Sequence, residues 1–309
     1  MRIATTALAS LLGLGLLAGF GTQASAQQRF RQMLEQRRAA SHNAELPAGT
    51  RIERDIAYGN DAKQRFDVYL PARMQPGAPI LFMVHGGGWR RGDKASPGVV
   101  GNKAAYWLNQ GFVFVSTNNR LVPDADPMQQ AIDVAKAIAS LQQHARQWGA
   151  DPGRMILMGH SAGAHLVVLV STKPDLLRQA GAQLPLGVVS LDSGALDVPS
   201  LMSQNRVPEL YTNAFGSDPA FWRSVSPQQQ LDRRALPMLL VCSSTRHFPT
   251  SPCDEARKLA DRAGSLSVPA QVLPEALSHG EINAELGLPS DYTQAVAGWI
   301  NQRLMQVRR

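Results

Sequence analysis

Short apolar runs recur along the chain, and helical patterns separate them. Runs of four to six mainly apolar residues are typical of strands buried on both faces of a sheet. Five such runs are present: Ile80–Val84, Phe112–Ser116, Met155–Met158, Leu186–Leu191 and Pro237–Cys242. Strands alternating with helices predict an α/β fold with a mostly parallel central sheet and helices on both of its faces.

Flanking patterns complete this layout. Residues 52–58 and Phe66–Leu70 read as a pair of early strands, and Ala270–Leu273 reads as a late one. The clearest helix is expected from Met128 to Trp148, because Gly149 follows its last apolar residue. A final helix is expected from about Ser290, a suitable N-cap residue. Residues 51–309 are therefore interpreted as one domain.

Residues 198–232 are less regular than their neighbours and rich in aromatic side chains, among them Tyr211, Phe215 and Trp222. Open α/β folds hold ligands at the carboxyl edge of the sheet. We therefore expect this segment to form a small cap or flap over that edge. Its aromatic residues could line an apolar site or fill a small core of the cap itself.

The first 26 residues predict a secretory signal peptide. Arg2 is followed by an uncharged stretch to Phe20, and Ala24-Ser25-Ala26 resembles a cleavage site. A membrane anchor is the alternative, but the stretch is glycine-rich and short for a span. We expect an exported protein, periplasmic or secreted, in which residues 27–50 form an N-terminal arm without chemistry. N-terminal sequencing of the mature protein would test this.

Charge and composition narrow the classes of partner. The formal net charge is +7, but the basic residues are scattered, which favours a solvated surface over a nucleic-acid site. No later segment is apolar enough to span a bilayer, so we expect no stable membrane insertion.

The sequence contains two cysteines, Cys242 and Cys253. In an oxidising compartment they could close a local disulfide loop, and two unpaired thiols are the alternative. The oligomeric state is left open.

The strongest chemical signal is Gly159-His160-Ser161-Ala162-Gly163, which directly follows one predicted strand and directly precedes the helical run 164–170. A sharp strand-to-helix turn of this kind exposes a nucleophilic serine, and small residues beside it let strand and helix pack closely. The context therefore predicts Ser161 as a nucleophile.

A second signal is His85-Gly86-Gly87-Gly88-Trp89, which follows the strand Ile80–Val84. Consecutive glycines allow backbone N–H groups to converge on a developing oxyanion. A flexible glycine-rich turn and a phosphate loop are the alternatives. A phosphate loop would end in Lys-Ser or Lys-Thr, and Trp89-Arg90 offers neither.

With these motifs the chain resembles the α/β-hydrolase superfamily, close to its HGGGW/GHSAG esterase and lipase group, which includes secreted carboxylesterases and feruloyl-esterase-like enzymes. The resemblance extends from about Arg54 to Leu277-Ser-His279, with the motifs in the family's order. It implies an α/β-hydrolase fold. It also implies an oxyanion hole made by the N–H groups of Gly87, Gly88 and Ala162.

His279 fits the general base, because in this fold the base follows the acid near the C-terminus. The acid departs from the family pattern, since the loop 242–253 contains no carboxylate. Asp192 is preferred, because some lipases and the platelet-activating-factor acetylhydrolases carry their acid at that strand end. Asp254 and Asp197 remain alternatives.

The resulting hypothesis is a serine hydrolase that cleaves small to medium acyl or aryl esters through an acyl-enzyme, without metal or organic cofactor. An amidase, formamidase or peptidase using the same triad is the enzymatic alternative. A non-catalytic hydrolase-like binding protein is the alternative from another class.

Overall fold

The computed structural model describes residues 45–306. The expected signal peptide, residues 1–26, lies outside the described residues, as do positions 27–44 of the expected N-terminal arm.

Eight strands form one sheet in the order β1-β2-β4-β3-β5-β6-β7-β8. Strands β1 and β2 pair antiparallel at one edge, and all pairs from β4 through β8 are parallel. The predicted α/β class and mostly parallel sheet are confirmed. The strands are β1 Arg51–Ala57, β2 Arg65–Leu70, β3 Ala78–Val84, β4 Val113–Thr117, β5 Ala150–His160, β6 Gly187–Leu191, β7 Met238–Ser243 and β8 Ala270–Glu275.

The strands connect to helices on both faces. The helices of the described residues are α1 Pro97–Asn109, α2 Pro127–His144, α3 Ala162–Thr172, α4 Asp175–Gln179, α5 Val198–Met202, α6 Glu209–Phe215, α7 Pro219–Ser224, α8 Pro227–Gln230, α9 Pro252–Ser265, α10 His279–Ala284 and α11 Asp291–Gln306. A 3₁₀ turn, Ala145–Trp148, follows α2.

Local sequence explains the helix ends. Asp126 and Gln129 form a capping box at the start of α2, and Gly149 ends the following 3₁₀ turn with a φ of 72°. The expected helix from Met128 to Trp148 is thus present, but its last turn tightens into 3₁₀ geometry. Ser290 caps α11 as expected, because its Oγ accepts a hydrogen bond from the N–H of Thr293 at 3.1 Å.

Two apolar cores cover the sheet. Helices α2, α3 and α9 contribute to the core on one face, and α1 and α11 contribute to the core on the other. Strands β3 to β7 are almost fully buried between them, which explains their apolar sequences. No helix of residues 45–306 is both long and apolar enough to cross a bilayer.

Residues 198–232, the cap segment, contain the four short helices α5 to α8. Its aromatic side chains Tyr211 and Phe215 are buried against Trp89, with ring centroids 5.8 and 4.8 Å from the indole. Tyr211 and Phe215 therefore fill a small core, which was one of the two expectations for these aromatic side chains.

Candidate active site

Ser161 lies in a strained turn between β5 and α3. Its φ of 56° is in the left-handed region, which non-glycine residues rarely adopt. The two glycines of the motif permit this turn: a Cβ at Gly159 would lie 2.3 Å from the carbonyl oxygen of Gly163, and one at Gly163 would lie 2.3 Å from that of Val84. The backbone thus holds the Ser161 side chain clear of both neighbouring elements.

Three side chains form a continuous hydrogen-bonded chain. His279 Nε2 lies 3.0 Å from Ser161 Oγ, and His279 Nδ1 lies 2.6 Å from Asp192 Oδ2. With its Nδ1 proton donated to the carboxylate, the imidazole presents a lone pair on Nε2 to the serine hydroxyl. The structure therefore brings together the predicted nucleophile, base and preferred acid in the order that proton transfer from the serine requires.

Asp192 is fully buried at the carboxyl end of β6. Burial by itself would raise the pKa of this carboxyl group. The hydrogen bond from His279, the positive charge of Arg246 and the backbone N–H of Ser243 outweigh burial and lower the pKa below its usual value. The N–H of Ser243 donates to Oδ1 at 2.7 Å. The carboxylate is therefore ionised and fixed in orientation.

Sequence reasoning did not identify Arg246 as part of the site. It lies in the loop 243–253, where related hydrolases usually place their acid, and its Nε and Nη2 lie 3.1 and 3.0 Å from Asp192 Oδ2. A side chain at Gly194 would crowd the guanidinium, since a Cβ there would lie 3.0 Å from Arg246 Nη1. The only signal in the sequence was the absence of a carboxylate from this loop.

The other acid candidates do not reach His279. Asp254 is exposed on α9 and pairs with Arg257 at 2.8 Å. Asp197 precedes α5, and its backbone carbonyl accepts the hydrogen bond of Leu201. Among the acid candidates, only Asp192 contacts the base in the described residues.

The glycine loop, residues 85–89, lies beside Ser161. A Cβ on Gly86 would be 2.9 Å from the carbonyl oxygen of His160 and 3.0 Å from the Cβ of Ser161, so the glycine allows the loop to approach the serine this closely. Gly87 and Gly88 have φ values of 126° and 63°. Within residues 45–306, the N–H groups of Gly87, Gly88 and Ala162 donate no hydrogen bond to a protein acceptor. These three N–H groups are therefore unpaired in the described part of the chain, as the expected oxyanion hole requires.

His160 supports the loop of His279. Its Nε2 lies 2.9 Å from the backbone carbonyl oxygen of His279, and the two ring centroids are 4.5 Å apart. Burial, and then the proximity of His279, lower the pKa of His160 to about 3. His160 is therefore neutral at ordinary pH and donates to this carbonyl. No pattern in the sequence predicted this contact of His160, which lies between Gly159 and Ser161.

Helix α10, which begins at His279, is held at its other end by α1. The buried ammonium group of Lys103 donates to the carbonyl oxygen of Asn283, and Asn102 Nδ2 donates to that of Ala284 at 2.7 Å. Burial lowers the pKa of Lys103 to about 7. Both side chains donate to carbonyl oxygens at the C-terminal end of α10, where the helix itself provides no donor.

His165, one turn along α3 from Ser161, is a packed histidine that is fully buried. Its Nε2 donates to the carbonyl oxygen of Val225 at 2.8 Å, and its Nδ1 accepts from Trp89 Nε1 at 3.2 Å. It thereby connects α3 with the glycine loop and the cap segment.

Cys242 and Cys253 form a disulfide, so the expected local loop is present. No group of three or more His, Cys, Asp and Glu side chains in the described part of the chain could hold a metal ion.

Comparisons with known proteins agree with this fold. The structure superposes on a truncated carbohydrate esterase from gut microbiota with a TM-score of 0.74 and 15% identity, covering 85% of this chain and 99% of that one. It superposes on esterase B from Lactobacillus rhamnosus (HN001) with a TM-score of 0.67 and 20% identity, covering 93% and 96%. The chain therefore has the α/β-hydrolase fold that the motifs implied.

Two relatives are named as esterases. Esterase LipC of Mycobacterium tuberculosis is 30% identical over 232 residues, which is 69% of this chain and 55% of LipC. Isoprenylcysteine alpha-carbonyl methylesterase ICME of Arabidopsis thaliana is 23% identical over 252 residues, 77% of this chain and 57% of ICME. The chain spans little more than half the length of these two curated relatives.

The BD-FAE family model matches residues 66–251, a range that includes the glycine loop, the Ser161 turn and Asp192. Because this match covers more than half of the chain, the protein belongs to the BD-FAE family.

Proposed function

We propose that this protein is a carboxylic-ester hydrolase in which Ser161 is the nucleophile, His279 the general base and Asp192 the acid. The observation that carries the proposal is the chain of hydrogen bonds from Asp192 through His279 to Ser161, at 2.6 and 3.0 Å. The esterase names of LipC and ICME support the ester as the substrate class.

In this mechanism Ser161 attacks the acyl carbonyl while His279 takes the hydroxyl proton. Asp192 holds the imidazole in the tautomer that accepts at Nε2 and stabilises its protonated form. The N–H groups of Gly87, Gly88 and Ala162 stabilise the negative oxygen of the tetrahedral intermediate, and the loss of one such donor typically costs ~10²–10³ in turnover. His279 then protonates the leaving alkoxide, and water releases the acyl group by the same steps.

A Ser161→Ala variant tests the nucleophile. We expect wild-type protein to hydrolyse a short-chain 4-nitrophenyl ester and to be labelled by a fluorophosphonate probe, because an activated serine attacks phosphorus as it attacks an acyl carbon. The variant should lose labelling and at least about 10³-fold in kcat. Ser203→Ala, which changes an exposed serine at the end of α5, is the control and should behave as wild type.

Labelling that survives in Ser161→Ala would contradict the assignment. A folded wild-type protein that neither reacts with the probe nor hydrolyses the ester would favour a binding function instead.

An amidase remains the second candidate, because kynurenine formamidase of Danio rerio is 30% identical over 138 residues, 42% of this chain and 44% of that protein. The same assay with an anilide that matches the ester in its acyl group separates the two. Faster turnover of the anilide than of the ester would favour the amidase over the ester hydrolase.

A further inference from the structure

A pocket of about 380 Å³ lies between the glycine loop and α6. Gly87 and Gly88 form one wall of the pocket, and Leu210 contributes to the other. The two walls touch at Gly88, where a Cβ would lie 2.1 Å from Leu210 Cδ1. The preceding residue of the loop, Gly86, lies against Ser161. The residues that line the pocket, Gly87 and Gly88, therefore directly follow the residue of the loop that contacts Ser161.

Two arginines give this pocket its charge. Arg90 and Arg91 both line it and both are exposed. Among residues 45–306, neither guanidinium lies within 4.0 Å of a carboxylate oxygen or donates a hydrogen bond.

The pocket also contains one acidic residue, Glu209 at the start of α6. Its carboxylate forms no ion pair within 4.0 Å with Arg90 or Arg91, and its Oε1 accepts a hydrogen bond from Asn213 Nδ2 at 3.2 Å. The charged side chains that line the pocket therefore sum to one net positive charge, with both guanidinium groups open to a ligand.

Guanidinium groups bind carboxylates particularly well. The planar arrangement of their N–H donors matches the two oxygens of a carboxylate, and such paired hydrogen bonds are stronger than neutral ones. The wall on the other side of the pocket offers the apolar Leu210, which suits a short hydrocarbon segment between a carboxylate and a reacting ester.

We propose that this pocket is a subsite for a carboxylate carried by the substrate, so that the enzyme prefers esters with a free acidic group over neutral esters of the same shape. The proposal rests on the ester hydrolysis proposed above and names the substrate class for that site. Arg90 and Arg91 bind the carboxylate. The glycine loop, which lies between these arginines and Ser161, sets the distance between the bound carboxylate and the scissile carbonyl.

The test compares two substrates of equal chain length, the 4-nitrophenyl half-ester of adipic acid and 4-nitrophenyl hexanoate. The quantity measured is the ratio of their kcat/KM values, acidic over neutral. We expect wild type to favour the acidic ester and Arg90→Gln/Arg91→Gln to lose about 10-fold in this ratio, since glutamine keeps hydrogen-bonding capacity but carries no charge. Arg90→Lys/Arg91→Lys keeps the charge and should retain more of the preference than the glutamine variant.

A second arginine pair controls for the overall charge of the protein. Arg73 and Arg233 are exposed and lie outside the pocket, so Arg73→Gln/Arg233→Gln removes the same two charges from elsewhere. This control should keep the wild-type ratio.

Three outcomes would overturn the subsite: a wild-type ratio at or below one, an unchanged ratio in the glutamine variant, or an equal loss in the control. An unchanged ratio would mean that Arg90 and Arg91 do not bind the carboxylate. A wild-type protein inactive on both esters would instead overturn the proposed hydrolase function, which keeps the two failures distinct.

Discussion

At the scale of single residues, Asp192 has an unusual set of partners. Its carboxylate accepts hydrogen bonds from His279, from Arg246 and from the N–H of Ser243, all while fully buried. An ionised carboxylate is costly to bury unless each oxygen is paired. Arg246 therefore provides a positive charge that stays in place when His279 is neutral.

Replacing Asp192 by asparagine should lower kcat by about 10³–10⁴-fold, because the amide cannot stabilise the imidazolium and favours the wrong tautomer. Turnover of a chromogenic short-chain ester measures the loss. Asp254→Asn is the matched control, and its kcat should stay within about two-fold of wild type, since the exposed carboxylate of Asp254 pairs with Arg257 on the surface of α9.

Circular dichroism must show that the Asp192→Asn protein is folded, because the change leaves Arg246 without its carboxylate partner. Near-normal turnover in a folded Asp192→Asn protein would remove Asp192 from the mechanism. A large loss in Asp254→Asn would transfer the role to that residue.

At the scale of elements, the site is built from the ends of neighbouring parallel strands. Strands β3, β5, β6, β7 and β8 are adjacent and parallel, so the segments after them emerge at one edge of the sheet. The glycine loop follows β3, Ser161 follows β5, Asp192 follows β6, and His279 comes shortly after β8. Residues far apart in sequence therefore meet at this edge.

The loop after β7 is closed by the disulfide between Cys242 and Cys253, and both cysteines are buried. The bond joins the end of β7 to the first turn of α9 and encloses Arg246. It therefore restrains the loop from which Arg246 reaches Asp192.

Replacing both cysteines by alanine should lower the free energy of unfolding by about 2–3 kcal/mol, because the unfolded chain regains the entropy of a closed loop of this length. Guanidinium-induced unfolding measures the change. A reductant should lower the unfolding midpoint of the wild-type protein in the same direction, whereas it should leave the midpoint of the variant unchanged. Equal midpoints for variant and oxidised wild type would contradict this role of the disulfide.

At the scale of the whole molecule, several histidines are buried in the neutral form. Burial lowers the pKa of His165 to about 4 and is the main cause that lowers the pKa of His160 to about 3, from an ordinary value of 6.5. Below pH 6.5 the unfolded chain binds protons that the folded chain does not. The folded state should therefore lose stability as the pH falls from about 6.5 towards 4.

The free energy of unfolding should fall by an amount on the order of 2–3 kcal/mol over this range for His165. Chemical unfolding at pH 7.5, 5.5 and 4.5 measures the decline. His165→Gln should show a shallower decline, because glutamine can replace the hydrogen bonds but binds no proton. Burial raises the pKa of Glu255, which acts in the opposite direction, so the comparison with the variant isolates His165. Parallel declines in the two proteins would contradict the prediction.

Sequence alone determined the parts of this protein that depend on local pattern. Buried parallel strands are apolar throughout, and a serine in a strained turn needs small neighbours, so the α/β class, Ser161 and the glycine loop could be recognised from short segments. The choice of His279 used chain order in addition. The expected signal peptide and export stay predictions, because residues 1–26 lie outside the described residues.

Only the tertiary structure separated Asp192 from Asp254 and Asp197, because the strands bring Asp192 alone within 2.6 Å of His279. It also revealed Arg246, His160 and the arginine pocket, whose residues follow no local pattern. Their contacts depend on how loops from different strands meet at one edge of the sheet. Spacing along the chain does not specify such distances, since they are fixed by the packing of the whole fold.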